Sequence, residues 1–197
     1  MLAQVVLFDG FDPLDAIGPY ETLTAGGIQA ELVTAEGPRE VPAGLGLLSL
    51  SATAKLDPAR ADIVVIPGAA AYAEDEVIAL FGKALPTLAA PLGQALAKEG
   101  LTVATVCGGS LLLAAAGLIS GRTATTNHVG LPALARFGVT AIPARLVEDG
   151  DLLTAAGVTS GVDLALYLVE RKQGARKAHE VEVLFAHERR GTVWSAA

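Results

Sequence analysis

Residues 102–114 read Thr-Val-Ala-Thr-Val-Cys-Gly-Gly-Ser-Leu-Leu-Leu-Ala. The first five residues are apolar or β-branched, which predicts a short strand that is buried on both faces. Cys107 then occupies a turn, and residues 110–116 predict an Ala/Leu helix that ends at Gly117. A buried strand that passes through a tight turn into a helix is the building unit of a parallel sheet covered by helices.

The same alternation of strands and helices extends over the whole chain. Residues 37–60, with scattered prolines and glycines, predict a small excursion from the sheet, and Asp149-Gly150 predicts a hairpin over residues 147–154. The sequence therefore predicts an α/β fold, a doubly wound and mostly parallel sheet flanked by helices, in a single domain over residues 1–197. The strand that leads to Cys107 covers residues 101–106, and the further predicted strands are residues 3–8, 29–34 and 63–66. The further predicted helices are residues 14–25, 84–98, 162–171 and 175–187.

Composition and charge exclude several classes of protein. The chain has 197 residues, of which 52% are hydrophobic and 5% aromatic, so its core is aliphatic. A net charge of −7 argues against a general affinity for nucleic acid or anionic membranes. Cys107 is the single cysteine, so no intramolecular disulfide can form, and residues 1–8 lack the basic start of a signal peptide. We expect a cytoplasmic protein with no nucleic-acid or membrane partner.

The candidate chemistry lies where the predicted strands end, because ligands bind at the carboxyl ends of strands in open parallel sheets. Cys107 lies there, and the small residues after it allow a sharp bend, as in a nucleophile elbow. The positive end of the helix dipole favours a thiolate, so we expect Cys107 to ionise well below the ordinary thiol pKa of ~8.5. The alternative is an ordinary buried cysteine, since free cysteines are among the most buried residues.

Asp15 is a candidate partner for Cys107. It follows the first strand and precedes Gly18-Pro19, so its carboxylate could reach the same crevice. The structural alternative is that Asp15 caps the following helix. Glu21 lies further along the same helix and competes for the catalytic role. Spacing alone does not choose between the two carboxylates.

His128 is a weaker candidate, since a lone histidine is more often structural than catalytic. The other two histidines, His179 and His187, fall in polar predicted helices. Histidines and carboxylates with metal-ligand spacing are absent from the sequence, and so are the glycine-rich patterns that bind nucleotides. We therefore expect neither a metal nor a cofactor.

Several motifs in fixed order resemble the ThiJ/PfpI superfamily, which shares the class I glutamine amidotransferase-like, flavodoxin-like fold. The resemblance covers essentially the whole chain. The matching segments are Val6-Leu7-Phe8-Asp9-Gly10-Phe11, Leu14-Asp15-Ala16-Ile17-Gly18-Pro19-Tyr20-Glu21, Ala61-Asp62-Ile63-Val64-Val65-Ile66-Pro67-Gly68, residues 106–114, Gly121-Arg122-Thr123-Ala124-Thr125-Thr126 and residues 157–166. Among the groups of this superfamily, the chain looks most similar to the isonitrile hydratases.

The resemblance implies a role for particular residues. Cys107 would be the nucleophile and Asp15 its acid partner, a role that many relatives give to glutamate. The N–H groups of Gly68 and Gly108 would act as oxyanion-hole-like donors, and a valine at either position would reduce turnover more than stability. The substrate, a small molecule, would lie against Gly18, Ala69, Asn127 and His128. The resemblance also implies a homodimer.

Two departures from the pattern bear on the activity. Related hydratases place threonine after the cysteine and protease-like relatives place histidine there, whereas this chain has Gly108. Glyoxalase-like relatives use a histidine near position 127, where this chain has Asn127. The leading interpretation is hydration of an isonitrile to an N-substituted formamide. The alternatives are a redox or stress sensor that works through oxidation of Cys107, and a glyoxalase- or amidase-like activity.

Overall fold

The computed structural model describes residues 1–46 and 48–195. Its strands are β1 (Leu2–Val6), β2 (Gln29–Thr34), β3 (Arg39–Pro42), β4 (Ser49–Ala52), β5 (Ala54–Lys55), β6 (Ile63–Ile66), β7 (Thr102–Val106), β8 (Thr123–Ala124), β9 (Thr140–Ala141), β10 (Leu146–Asp149), β11 (Leu152–Ala155) and β12 (Val193–Ser195). Its helices are α1 (Pro13–Ala25), α2 (Glu74–Ala97), α3 (Gly109–Ala115), α4 (Leu131–Arg136), α5 (Ser160–Gln173) and α6 (Ala175–Phe185), and a 3₁₀ turn spans His128–Gly130.

Eight strands form the central sheet in the order β12-β10-β11-β7-β6-β1-β2-β5. Every neighbouring pair in this sheet is parallel except the β10–β11 hairpin. Two small sheets, β3–β4 and β8–β9, lie outside it. The predicted α/β fold with a mostly parallel sheet is confirmed, and the excursion predicted for residues 37–60 corresponds to β3, β4 and the edge strand β5.

The three central strands are buried because nearly every residue in them is aliphatic. All of β6 and β7 and all but the first residue of β1 are buried. Val65 pairs with Val5 on one side and with Ala104 on the other, so the three strands are in register. Their carboxyl ends consequently meet at one edge, and the loops that follow them form the candidate site.

Two groups of helices flank the sheet. Helix α1 packs on α5 and α5 on α6, while α2 contacts α3 and α3 contacts α4. Close approach of α1 to α5 depends on Gly161, because a Cβ there would lie 3.2 Å from Cδ of Pro19. Since α1 carries Asp15, this helix pair helps to place the candidate acid.

Helix α2 is longer than the sequence predicted. The prediction began at residue 84, whereas the helix begins at Glu74, where three acidic residues favour the positive end of the helix dipole. By length and composition alone α2 could cross a membrane. Its residues Phe81, Leu88 and Leu92 nevertheless recur on one helical face and are buried in the core. This is the pattern of a helix that packs on a sheet.

Candidate active site

Cys107 occupies the sharp turn between β7 and α3. Its φ of 53° lies in the left-handed region, which is uncommon for a residue other than glycine. The turn is held by two hydrogen bonds, from Cys107 N–H to the carbonyl of Ala155 (3.0 Å) and from the Thr126 hydroxyl to the carbonyl of Cys107 (2.8 Å). Gly109 lies two residues further on, at the start of α3, and a Cβ there would overlap the carbonyl oxygen of Ile66. The surrounding structure thus maintains a strained elbow that presents the thiol.

Asp15 lies in the first turn of α1 and is fully buried. It does not cap the helix, because Asp12 does so by accepting a hydrogen bond from the N–H of Leu14 (3.0 Å). Asp15 Oδ2 accepts a hydrogen bond from the N–H of Gly68 (2.9 Å). Among the described residues Oδ1 has no hydrogen-bond partner, although it is buried. A buried carboxyl with one uncommitted oxygen is suited to exchange a proton with a neighbour.

The structure places the two candidate carboxylates differently. The charge of Asp15 raises the pKa of the Cys107 thiol, and the thiol in turn lowers the pKa of the Asp15 carboxyl, so these two groups interact. Glu21 is exposed to solvent on the same helix. Of the two candidates, Asp15 is therefore the one that the structure places beside Cys107, and its catalytic role stays a prediction.

The electrostatics of the pair differ from the sequence-based expectation. Burial raises the pKa of the Asp15 carboxyl from 3.8 to about 8, and the charge of Asp12 adds to the shift, whereas the hydrogen bonds from Gly68 and Cys107 oppose it. Burial also raises the pKa of the Cys107 thiol to about 12, and the Asp15 charge adds to this effect. The expectation of a thiol that ionises well below ~8.5 is therefore wrong.

The physical reason for this difference is that burial outweighs the helix dipole. Helix α3 has only seven residues, and Cys107 is 8% exposed. Hydrogen bonds from the Asn127 side chain and the Gly108 N–H favour the sulfur anion but do not compensate for the lost hydration. Both groups consequently hold their protons at neutral pH, and the first proton leaves the pair near pH 8.

Asn127 links the sulfur to the 3₁₀ turn that follows. Its Oδ1 accepts a hydrogen bond from the N–H of Val129 (3.2 Å), and its Nδ2 lies 3.5 Å from Cys107 Sγ. Because Oδ1 already serves the backbone, the amide NH₂ is the group that faces the sulfur. Asn127 therefore has a direct contact with the sulfur of Cys107, and its contact with substrate stays a prediction.

The structure changes the role assigned to Gly68. Its N–H is engaged with Asp15, so in this structure it orients the acid and is not a free oxyanion donor. A Cβ on Gly68 would lie 2.7 Å from the backbone nitrogen of Gly108 and 3.0 Å from Asp15 Oδ2. A valine there would collide with the backbone, so we expect Gly68→Val to lose stability as well as turnover, and the expectation that turnover falls more than stability stays a prediction. The Gly108 N–H interacts with the sulfur of Cys107.

The structure places the other residues that were predicted to contact substrate, Gly18, Ala69 and His128, in different surroundings. A Cβ on Gly18 would lie 3.4 Å from Cγ2 of Val162 in α5, so Gly18 lies beside that helix, and its contact with substrate stays a prediction. Ala69 pairs with Phe11 in an isolated bridge beside Gly68, and its contact with substrate stays a prediction. His128 is exposed and lines a cleft of about 260 Å³, together with Thr125, Thr126, Leu131, Pro143, Ala144, Arg145 and Ala156.

Two features of the site were not identified from the sequence. Asp12 and Pro13 are a polar cap followed by proline, which is a typical helix start. This pattern would have shown from the sequence that Asp12, and not Asp15, caps the helix. Phe81, distant in sequence, lies against Gly108, and no local pattern indicates such a contact. In the part of the chain that the structure describes, no group of three or more histidine, cysteine or carboxylate residues could hold a metal ion.

The fold and the site together define the class of protein. It is an α/β protein with a mostly parallel sheet, in which a buried cysteine at a strand-to-helix turn lies beside a buried carboxyl group. Residues 1–171 match the DJ-1/PfpI family, and the chain belongs to that family. It is 32% identical over 182 residues to isonitrile hydratase from Pseudomonas putida, a match that covers 90% of this chain and 75% of that protein.

Two further comparisons involve DJ-1 proteins. The chain is 27% identical over 174 residues to protein DJ-1 homolog A from Arabidopsis thaliana, covering 87% of this chain but only 43% of that protein. The crystal structure of Drosophila melanogaster DJ-1beta superposes with a TM-score of 0.80 at 22% identity and covers 95% of this chain and 98% of that one. This last likeness shows the shared fold.

Proposed function

We propose that the protein is a cysteine-dependent hydratase that converts an isonitrile and water into an N-substituted formamide. The observation that carries the proposal is the Asp15 carboxyl, which is fully buried beside Cys107 and hydrogen-bonded through only one oxygen. The similarity to an isonitrile hydratase over 90% of the chain supports the substrate class.

The proposed first step adds the Cys107 thiol across the isonitrile carbon. The ionised Asp15 carboxylate takes the thiol proton as sulfur attacks and passes that proton to the same carbon, giving a thioimidate, Cys–S–CH=N–R. A carboxyl with a pKa of about 8 is well matched to this relay, because efficient acid–base groups titrate near the working pH.

The second step hydrolyses the thioimidate. Asp15 accepts a proton from the attacking water and passes it to the nitrogen, giving the tetrahedral adduct Cys–S–CH(OH)–NH–R. The adduct collapses to R–NH–CHO as the sulfur leaves, and the hydroxyl proton of the adduct passes through Asp15 to the sulfur. The Asn127 amide and the Gly108 N–H stabilise the departing sulfur through their contacts with Sγ. One isonitrile and one water are consumed, and both side chains return to their starting protonation states.

The test is a turnover screen with neutral alkyl and aryl isonitriles, with formamide measured by chromatography. We expect turnover by the wild type and none by Cys107→Ser. Asp15→Asn should lose ~10²-fold or more, because it keeps the shape but cannot relay a proton. Glu21→Gln is the matched control on the same helix and should retain near-full activity. Activity in Asp15→Asn together with its loss in Glu21→Gln would contradict the assignment of the acid.

A redox sensor is the principal alternative function. A protonated Asp15 could hydrogen-bond to a sulfinate on Cys107, but peroxide attacks thiolates, and a raised thiol pKa disfavours that form. Selective gain of two oxygens at Cys107 after mild peroxide, with no turnover of isonitriles, glyoxals or small amides, would favour the sensor over the hydratase.

The assembly and location of the protein belong to the same proposal. We propose a cytoplasmic homodimer. The exposed apolar side chains of Leu14, Tyr72 and Val129 lie close in sequence to site residues and support a protein contact near the site. Sedimentation of the purified chain as a monomer at micromolar concentration would contradict the dimer.

A further inference from the structure

The first turns of helix α2 touch both loops of the candidate site. Phe81 is 6% exposed, and a Cβ on Gly108 would lie 3.0 Å from its Cζ atom. Gly108 has an ordinary helical φ of −70°, so its backbone conformation does not require glycine, but a Cβ there would press on the Phe81 ring. The ring of Phe8 packs against the ring of Phe81, and their centroids are 6.3 Å apart. The ring of Phe81 is therefore fixed against the residue that follows the nucleophile.

The neighbouring residue of α2 makes an equivalent contact with the other loop. A Cβ on Gly10 would lie 2.7 Å from Cδ1 of Leu80. Gly10 belongs to the loop between β1 and α1, and its carbonyl accepts a hydrogen bond from the N–H of Ala70 (3.0 Å). The same loop leads into the helix that carries Asp15.

Cys107 stands in one of these loops, and the other leads into the helix that carries Asp15, so the two groups share one support. We propose that Leu80 and Phe81, adjacent residues of α2, are positioning residues that hold Cys107 and the start of α1, with Asp15, at the separation that proton transfer requires. The inference deepens the proposed function, since it concerns the same acid–nucleophile pair. Phe81 also lies where a side chain on the residue after the cysteine would begin.

Because Leu80 and Phe81 are apolar, the distance between Asp15 and Cys107 should depend strongly on apolar packing. Proton transfer between side chains needs heavy atoms within hydrogen-bond reach, ~2.6–3.2 Å, so a displacement of one ångström interrupts it. Truncation of Leu80 or Phe81 removes atoms that face Gly10 or Gly108 and allows either loop to shift. The electrostatic contact between Asp15 and Cys107 should then weaken together with the proton relay.

The test measures the pair without any substrate. The rate of Cys107 alkylation by iodoacetamide at pH 9 is compared between each parent protein and its Asp15→Asn variant. We express the result as the rate of the Asp15→Asn variant divided by the rate of its parent. In the wild type we expect this ratio to be ~10 or more, because the ionised Asp15 carboxylate opposes ionisation of the Cys107 thiol and a like charge at close range shifts a pKa by about one unit or more. In the Phe81→Leu and Leu80→Ala backgrounds the ratio should fall to within about twofold of one.

Leu88→Ala is the matched control, because Leu88 is a buried residue of the same helix, 1% exposed, and belongs to the hydrophobic core. It should lower the free energy of unfolding at least as much as Phe81→Leu while it leaves the ratio as in the wild type. Phe81→Leu retains apolar bulk, so the measurement stands even if Phe81→Ala does not fold.

Two results would overturn the inference. Ratios in Phe81→Leu and Leu80→Ala equal to the wild-type ratio would show that these side chains only stabilise the fold. An equal fall of the ratio in Leu88→Ala would show a general effect of lost packing. If the ratios are as predicted but no isonitrile is turned over, the proposed hydratase activity would be wrong and the positioning role would stand.

Discussion

The two side chains that carry the proposed chemistry depend on each other for their protonation. Asp15 is fully buried and Cys107 is 8% exposed, so each loses most of its hydration. Burial raises the pKa of the carboxyl to about 8 and that of the thiol to about 12. A charge on Asp15 further opposes ionisation of Cys107, so the pair titrates as one unit. Its reactive form holds one proton, with the carboxylate ready to accept it from sulfur.

The pH dependence of turnover follows from this titration. Below pH 8 both groups are protonated and Asp15 cannot act as the base. We therefore expect kcat/KM to rise tenfold per pH unit below a midpoint of about 8 and then to level off. The measurement is kcat/KM between pH 6 and pH 9.5, with circular dichroism to exclude unfolding. A profile that falls across this range would show that the doubly protonated pair is the active form.

Whole elements were easier to predict from the sequence than the contacts between them. The aliphatic runs of β6 and β7 and the Asp149-Gly150 hairpin were correctly predicted, because burial on two faces and a two-residue turn leave local patterns. The two-residue strands β8 and β9 and the edge strand β12 were missed, since so few residues show no periodicity. The hydrogen bond from Gly68 to Asp15 spans 53 residues, and no local pattern encodes it.

The pairing of α1 with α5 gives a prediction for a residue outside the site. Gly161→Val would place methyl groups against Pro19, whose Cδ lies 3.2 Å from the position of a Cβ at residue 161. Overpacking of this kind costs ~1–3 kcal/mol of unfolding free energy. We expect that loss together with reduced turnover, because α1 carries Asp15.

Chemical denaturation and the turnover assay measure the two effects of Gly161→Val. Gly157→Val is the control, since a Cβ at residue 157 meets no atom within 4 Å. Reduced stability of Gly161→Val with unchanged turnover would show that the position of α1 relative to α5 does not determine the placement of the acid.

The whole molecule is destabilised by the acid that it buries. The pKa of Asp15 is about 8 in the folded protein and near 3.8 when the carboxyl is exposed. Between these pH values the folded state keeps a proton that the unfolded state releases. The free energy of unfolding therefore falls as the pH rises from 4 to 8, by up to ~1.4 kcal/mol per pH unit from this group.

Replacement of the carboxyl should remove that penalty. We expect Asp15→Asn to be more stable than the wild type at pH 7 and the difference to grow between pH 5 and pH 8. Urea denaturation at several pH values measures it, and Glu21→Gln should show no such trend. A difference that does not change with pH would mean that Asp15 is ionised in the folded protein throughout this range. A trade-off between stability and activity of this kind is common at active sites.

The most direct test of the proposed chemistry mixes the protein with an excess of an alkyl isonitrile, quenches the mixture with acid and analyses it by mass spectrometry. A covalent thioimidate adds the whole mass of the isonitrile to the peptide that contains Cys107. We predict this adduct within the first turnover, followed by formamide at the steady-state rate. Formamide production with no adduct on Cys107, or undiminished production by Cys107→Ser, would contradict nucleophilic catalysis by this cysteine.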